Sequence, residues 1–228
     1  MEIFNGKAAS SDVKLLIFDL DGTIADTIIT IEDALNMLMS RYGYPELDYE
    51  QTRIAVGKGS LDLVRRAVPK DVSCDEARVV ELHEEYLKYY RQTLLNCNEC
   101  YEGMRDSLIA LKEKGYKLAV LSNKKDEFTK AMVKVLVPEG TFSRVQGQTD
   151  LPTKPNPTVP LMIASELGFL PEETAFVGDS EVDVQTGLNS GMLAVGCSWG
   201  YRPRDLLIST GAHVILDKPC ELKELFLK

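Results

Sequence analysis

The feature that most constrains the fold is a short apolar run that ends abruptly in a polar turn. Residues 13–20 read VKLLIFDL, and Asp21, Gly22 and Thr23 follow them directly. An apolar run of this length, bounded by turn residues, is typical of a strand that is buried on both faces, as strands of parallel sheets are. The chain is therefore predicted to carry an acidic turn at the carboxyl end of a buried strand.

The next segment changes to the periodicity of helices. Apolar residues recur every three or four positions at Ile28, Ile31, Leu35, Leu38 and Tyr42. The same spacing is found over residues 61–68 and 79–94, with no strand pattern between them. This periodicity indicates amphipathic helices. Residues 27–96 are therefore predicted to form an all-helical cap domain, inserted between core residues 1–26 and 97–228.

From residue 104 onwards, helical and strand patterns alternate. Helices are predicted over residues 104–115, 126–137, 158–167 and 182–188. Strands are predicted over residues 116–122, 174–177 and 193–196, with a weaker pattern at 142–146. Such alternation implies a parallel sheet with crossover helices. The predicted fold class is α/β, with a doubly wound, Rossmann-like parallel sheet as the core and the all-helical cap as an insertion.

Charge and composition argue against several kinds of partner. The formal net charge of -9 disfavours nucleic acid and anionic membrane surfaces, since both repel an acidic protein. The first dozen residues lack the apolar stretch of a secretory signal, so a cytoplasmic location is expected. The five cysteines are predicted to be free thiols, with a zinc or redox site at Cys97 and Cys100 as the less favoured alternative.

Four polar clusters follow predicted strands. They are DLDGT at 19–23, SNK at 122–124, KPNP at 154–157 and GDSEVD at 178–183. Ligands of open α/β sheets bind beyond the carboxyl ends of the strands, so the clusters are predicted to form one site. Taken singly, each has a structural interpretation: an Asx turn at 19–23, a solvated Lys154, or a helix cap at 178–183. Their common placement favours a shared site.

The acidic residues of these clusters predict a metal site. Asp19 and Asp21 are two apart, so extended backbone directs both to one side, where Asp179 would join them. At about 4 Å and an effective dielectric near 20, each like-charged pair repels by roughly 4 kcal/mol, and a cation must relieve this. Oxygen ligands without nearby histidine or cysteine favour Mg²⁺.

Other residues of the clusters suit a phosphoryl group. Lys154 offers a compact positive charge, and Ser122 and Asn123 offer hydrogen-bond donors for phosphoryl oxygens. Such groups can stabilise the charge of a phosphoryl group in transfer. A carboxylate nucleophile that forms an aspartyl phosphate is an established chemistry.

On these motifs, the chain resembles the haloacid dehalogenase superfamily of phosphatases. It is most similar to the phosphoglycolate phosphatase branch, which has a helical cap of the C1 type inserted after the first motif. The resemblance rests on the segments at 19–23, 121–124, 154–157, 178–183 and 199–215. The dehalogenases and phosphonate hydrolases of the superfamily lack a second aspartate at the position that Asp21 occupies in this chain. Hydrolysis of a phosphate ester is therefore the implied reaction.

The resemblance also implies a role for each site residue. Asp19 would be the nucleophile, Asp21 would protonate the leaving oxygen and then activate water, and Lys154 would neutralise Asp19. Asp19, Asp179 and the backbone carbonyl of Asp21 would bind Mg²⁺, and Asp183 would act from just outside these ligands or through a water.

Substrate contacts are implied as well, with 2-phosphoglycolate as the best candidate. Thr23, Ser122 and Asn123 would contact the phosphate. A cap loop containing Gly57 and Lys58 would reach the site, where Lys58 could meet a substrate carboxylate, although a surface turn is an equal alternative. Cap closure about hinges at residues 26–27 and 96–102 is expected to exclude water.

Several alternatives remain open at this stage. A phosphomutase of the β-phosphoglucomutase type shares the core chemistry, and pyrophosphate or a nucleoside monophosphate could be the substrate instead. A receiver-like signalling protein or a non-catalytic phosphate-binding protein is disfavoured by length and by the intact set of catalytic residue types. His83, His213 and the tyrosines at 86, 89 and 90 are interpreted as structural. The oligomeric state is not predicted.

Overall fold

A single sheet forms the centre of the core. The computed structural model describes residues 1–4 and 12–227, and its strands within these ranges are β1 (Glu2–Ile3), β2 (Leu15–Phe18), β3 (Lys117–Lys125), β4 (Arg144–Gln148), β5 (Thr174–Gly178), β6 (Leu193–Cys197) and β7 (Val214–Leu216). Their order is β1-β7-β6-β5-β2-β3-β4. All neighbouring pairs are parallel apart from β1 and β7, which are antiparallel.

Helices cover the sheet and fill the insertion. They are α1 (Ile28–Tyr42), α2 (Tyr49–Ala55), α3 (Ser60–Ala67), α4 (Lys70–Ser73), α5 (Glu76–Thr93), α6 (Met104–Glu113), α7 (Asp126–Leu136), α8 (Thr158–Glu166), α9 (Glu181–Asn189), α10 (Arg204–Thr210) and α11 (Glu221–Phe226). Among the residues that the structure describes, none of these helices has the length and apolarity needed to cross a membrane.

The strand order reverses at β2. From β2 the sheet extends through β3 and β4 on one side and through β5, β6 and β7 on the other. Crevices at such a reversal are where doubly wound sheets bind ligands. The predicted α/β fold with a doubly wound parallel sheet is confirmed, and the acidic turn at residues 19–23 lies at this position.

The central strand β2 is buried on both faces. Leu15 and Ile17 share one buried cluster with residues of α8, whereas Leu16 and Phe18 belong to the cluster that includes α6 and α7. All four side chains are fully buried. Alternation along a strand sends successive side chains to opposite faces, which is why an unbroken apolar run is needed here. This burial fixes the end of β2, and hence the acidic turn, within the sheet.

Helices α1 to α5 make up the predicted insertion, residues 27–96, and α6 follows them before β3. The stretch between β2 and β3 is fully described and contains no strand. Helix α1 ends at Tyr42 and is followed by Gly43 in the left-handed conformation, with φ 68°. The segment that leads from the core into the insertion and the segment that leads back lie side by side, because Tyr101 N donates to Ile24 O at 3.0 Å. The predicted boundaries at residues 26–27 and 96–97, and hinge motion there, stay predictions.

The elements that the sequence did not predict are short. Helix α2 has seven residues and begins with a capping box in which Asp48 accepts a hydrogen bond from Gln51 N. Helices α4, α10 and α11 and the two-residue strand β1 are likewise brief. Segments of this length show too few turns or alternations to reveal a period.

Replacing Leu16 by Ala is expected to lower the free energy of unfolding by about 2–5 kcal/mol, because it opens a cavity in the fully buried centre of β2. Urea unfolding followed by circular dichroism measures this. The matched control is Ile54→Ala in α2, where the side chain is 62% exposed, and a change within about 0.5 kcal/mol is expected. Equal losses in the two variants would contradict the assignment of β2 as the core strand.

Candidate active site

The acidic turn after β2 packs tightly against the end of β5. Asp19 N donates to Val177 O at 2.9 Å, which continues the sheet pairing by one residue. Gly22 follows with φ +84°, and a Cβ at that position would lie 2.4 Å from Asp179 Oδ2. A Cβ at Gly200 would lie 2.3 Å from the Asp179 Cβ. Glycine is therefore required at both positions for the backbone to approach this carboxylate.

Three buried carboxylates meet at this point. Oxygens of Asp19, Asp179 and Asp183 lie within 4.8 Å of one another. Burial raises the pKa of Asp19 to about 7, although Lys154 acts in the opposite direction. Burial, together with the charges of Asp183 and Asp19, raises the pKa of Asp179 well above its usual range. The sequence analysis expects Asp183 just outside the metal ligands or acting through a water; its carboxylate lies in this cluster, and its role stays a prediction.

Lys154 joins two of the three carboxylates. Its Nζ donates to Asp19 Oδ1 at 2.6 Å and to Asp183 Oδ1 at 2.7 Å. Burial alone would lower the pKa of this ammonium, but the two carboxylates raise the pKa above its ordinary value. The backbone of Lys154 is held by Asn123, whose Oδ1 accepts from Lys154 N at 3.0 Å. Lys154 is thus a fixed positive charge beside the predicted nucleophile.

Hydrogen bonds orient the other two carboxylates. Asp179 accepts from Thr23 Oγ1 at 3.1 Å and from Tyr201 N at 2.7 Å. Asp183 Oδ2 accepts from Ser180 N at 3.1 Å and from Ser180 Oγ at 2.6 Å. Thr23, predicted to contact substrate, therefore positions Asp179. Tyr201 was not singled out by the sequence analysis, although it lies in the segment that carries the resemblance.

Asp21 has a separate set of partners. Lys124 Nζ donates to Asp21 Oδ1 at 2.6 Å and to Tyr90 OH at 2.6 Å. Thr27 Oγ1 also donates to Asp21 Oδ1, at 2.6 Å. Burial alone would lower the pKa of Lys124, but Asp21 and Tyr90 raise it. The Asp21 side chain is therefore held outside the three-carboxylate cluster.

The roles of Lys124 and Tyr90 were missed by sequence reasoning. Lys124 follows Ser122 and Asn123 at the same strand end, so its position was the available signal. Tyr90 was interpreted as helix packing, and it does stack on Tyr86 with ring centroids 5.6 Å apart. It also faces the site, which makes the packing interpretation incomplete.

A cavity of about 70 Å³ lies between the core and the cap. From the core it is lined by Asp19, Asp21, Ser122, Asn123, Lys124, Lys125, Phe128, Lys154, Asp179, Ser180, Tyr201 and Arg202. From the cap it is lined by Val56, Gly57, Gly59, Ser60, Leu63, Tyr86, Leu87 and Tyr90. The cavity therefore joins the carboxylates to an apolar wall supplied largely by the cap.

The two predicted cap residues lie in different places. Gly57 lines the cavity, and its carbonyl accepts from Asn123 Nδ2 at 3.2 Å. Lys58 is exposed and does not line the cavity. The predicted contact between Lys58 and a substrate carboxylate consequently has no support from the geometry.

The fold and these motifs define a class of enzyme. The model of the haloacid dehalogenase-like hydrolase family matches residues 16–197, a span that contains all four polar motifs. The chain belongs to the haloacid dehalogenase-like hydrolase family. The predictions of this superfamily and of a hydrolytic enzyme are confirmed.

Individual relatives are similar to this chain over most of its length. The chain is 31% identical over 216 residues to the phosphoglycolate phosphatase of Chromobacterium violaceum, covering 93% of this chain and 96% of that protein. It is 30% identical over 198 residues to the phosphoglycolate phosphatase of Haemophilus influenzae Rd, covering 84% and 88%. A crystal structure described as a predicted phosphoglycolate phosphatase from Haemophilus somnus superposes with a TM-score of 0.85 at 26% identity, covering 94% of this chain and 98% of that one.

The buried carboxylates lead to a prediction for Asp179→Asn. Without divalent cations, removing one of three crowded charges should raise the free energy of unfolding, because burial and the charges of Asp183 and Asp19 disfavour the ionised form of Asp179. With Mg²⁺ at 100 times its Kd, the wild type should gain about 2.7 kcal/mol, whereas the variant should gain little.

Urea unfolding in EDTA and in MgCl₂ measures both effects. The control is Asp150→Asn, which replaces an exposed aspartate and should leave the Mg²⁺ response intact. A wild type that Mg²⁺ does not stabilise, or an Asp179→Asn variant that it stabilises equally, would exclude a cation at this cluster.

Proposed function

We propose that this protein is a Mg²⁺-dependent phosphatase of small phosphorylated metabolites that acts through an aspartyl phosphate on Asp19, with 2-phosphoglycolate as the best candidate substrate. The family match and the names of the curated relatives support an enzyme acting on phosphoric monoesters. The observation that carries the proposal is the approach of Asp19, Asp179 and Asp183 to within 4.8 Å, with Lys154 bonded to two of them. A cytoplasmic location belongs to the same proposal.

The donor set fits Mg²⁺. It consists of carboxylate oxygens whose burial, together with the charges of neighbouring aspartates, raises the pKa of Asp19 and Asp179, so the ionised cluster needs a compensating cation. Asp19, Asp179 and Asp183 would hold the ion, and the backbone carbonyl of Asp21 is the further ligand that the resemblance implies. When bound, Mg²⁺ would neutralise the carboxylates and polarise a phosphoryl oxygen.

In the first half of the reaction, a carboxylate oxygen of Asp19 attacks phosphorus. A bond from this oxygen to phosphorus forms while the bond from phosphorus to the ester oxygen breaks. Lys154 holds Asp19 at 2.6 Å and stabilises its ionised form. Asp21 donates a proton to the leaving oxygen, so the alcohol departs without charge. Ser122 and Asn123 line the cavity where phosphoryl oxygens would lie.

In the second half, water attacks the phosphorus of the aspartyl phosphate and releases Asp19. Asp21, now a carboxylate, accepts the proton of this water. The bonds from Lys124 and Thr27 both end on Asp21 Oδ1. Among the residues that the structure describes, no hydrogen bond to Asp21 Oδ2 is found, which leaves that oxygen available for proton exchange.

The preference for phosphoglycolate over a nucleoside monophosphate is supported by the names of the relatives. A phosphomutase or pyrophosphatase remains a less favoured candidate, because the named relatives are phosphoglycolate phosphatases.

Replacing Asp19 by Asn should lower Mg²⁺-dependent phosphate release from 2-phosphoglycolate by about a thousandfold or more, because the amide cannot form the covalent intermediate. Phosphate release from phosphoglycolate, a hexose phosphate, pyrophosphate and a nucleoside monophosphate, each with MgCl₂ and with EDTA, measures activity and substrate together. Asp150→Asn serves as the control and should retain full activity.

Retained activity in Asp19→Asn would refute the assignment of the nucleophile. Conversion of the hexose phosphate to an isomer without phosphate release would identify a phosphomutase instead.

A further inference from the structure

Four basic side chains line the cavity, and they differ in whether they already have partners. They are Lys124, Lys125, Lys154 and Arg202. Lys154 binds two carboxylates, and Lys124 binds Asp21 and a tyrosine hydroxyl. Arg202 donates to the backbone carbonyls of two cap residues and lies 3.4 Å from a glutamate oxygen. For Lys125, the described part of the chain contains no ion pair and no hydrogen bond from the ammonium group.

The acidic residues nearest to Lys125 in the chain are occupied elsewhere. Lys125 is the last residue of β3 and precedes α7 directly. Asp126 accepts from Lys130 Nζ at 2.6 Å and from Gly147 N at 2.9 Å. Glu127 accepts from Arg91 at 2.9 Å. Lys125 is half-buried and lines the cavity, and no acidic residue of the described part of the chain forms an ion pair with it.

The cap loop closes against this part of the core. In the sheet, Lys125 pairs with Gln148 of β4. The side chain of Gln148 is 3.4 Å from the position that a Cβ of Gly59 would occupy. The next cap residue, Ser60, lines the cavity. Lys125 and Ser60 thus belong to the same wall of the cavity, one from the core and one from the cap.

A histidine fixes the hydroxyl of Ser60. Ser60 Oγ lies 2.8 Å from His83 Nε2, and the His83 side chain is buried in α5. Burial chiefly, and the positive charge of Lys125 in addition, lowers the pKa of His83 and keeps the ring neutral at neutral pH. His83, interpreted from the sequence as structural, is therefore a positioning residue for a polar group of the cavity.

We propose that Lys125, together with the Ser60 hydroxyl held by His83, binds the carboxylate group of the substrate. The inference rests on the proposed function and assigns its substrate class: small phosphate esters with a second anionic group. A substrate carboxylate at this wall gains a charge-assisted hydrogen bond from Lys125 that an ester without a carboxylate lacks. Lys58, the residue predicted from the sequence for this contact, lies outside the cavity.

The test compares two substrates of the same length. 2-Phosphoglycolate and ethyl phosphate share a two-carbon chain and a phosphate ester but differ by the carboxylate. The measured quantity is the ratio of their kcat/KM values, determined separately for each variant with MgCl₂. A loss of folded enzyme affects both substrates equally, so this ratio reports recognition of the carboxylate alone.

Lys125→Met should lower the ratio by about tenfold to a hundredfold, mainly through a higher KM for phosphoglycolate, because a hydrogen bond to a charged group is lost. Ser60→Ala should lower it by about twofold to tenfold, and Lys125→Arg should retain most of it. Lys134→Met is the matched control: it removes the same charge from an exposed position of α7 and should leave the ratio unchanged.

An unchanged ratio in Lys125→Met would overturn the inference, and so would a loss that follows Lys58→Met instead. A wild type that hydrolyses ethyl phosphate as well as phosphoglycolate would overturn this inference and leave the phosphatase itself intact. Absence of Mg²⁺-dependent hydrolysis of both esters and of an aryl phosphate would instead remove the proposed function.

Discussion

The ammonium of Lys154 between Asp19 and Asp183 is the interaction on which the rest of the site depends. Burying one carboxylate costs several kcal/mol unless the charge is compensated, and here three are buried together. One ammonium leaves two negative charges uncompensated. A single Mg²⁺ ion carries the two positive charges that would balance them. The apolar strand β2 and the glycines beside Asp179 matter because they hold these charges close together.

The groups proposed for phosphoryl transfer and the groups proposed for substrate recognition lie in different places. The groups proposed for phosphoryl transfer follow strands β2 and β5, lie near the carboxyl end of β3, or belong to the loop before α8. The groups proposed for recognition, Lys125 and Ser60, lie where the core and the cap meet. A change at that boundary can therefore alter which ester is accepted without moving the nucleophile.

The sequence predicted that Asp19, Asp179 and Lys154 lie close together, and the structure brings them together. Asp19 and Asp179 directly follow β2 and β5, whose carboxyl ends meet at one edge of the parallel sheet, whereas Lys154 reaches them from the loop between β4 and α8. The cap could not be placed in the same way. Gly57 and Gly59 both have positive φ, which redirects the chain and leaves Lys58 exposed between them. Whether Lys58 or Lys125 lines the cavity depends on such turns and on long-range packing. The local sequence pattern predicts neither of these.

The loop after β6 ties the two domains together through consecutive residues. Tyr201 N donates to Asp179, and its hydroxyl accepts from Thr27 N at 2.8 Å, where the chain enters the cap. The neighbouring Arg202 donates to Arg53 O in the cap at 2.8 Å. The atoms that meet this loop at residues 27 and 53 belong to the backbone, so a chimera that carries a relative's cap on this core would keep both bonds whatever its cap side chains, provided that its backbone follows the same path.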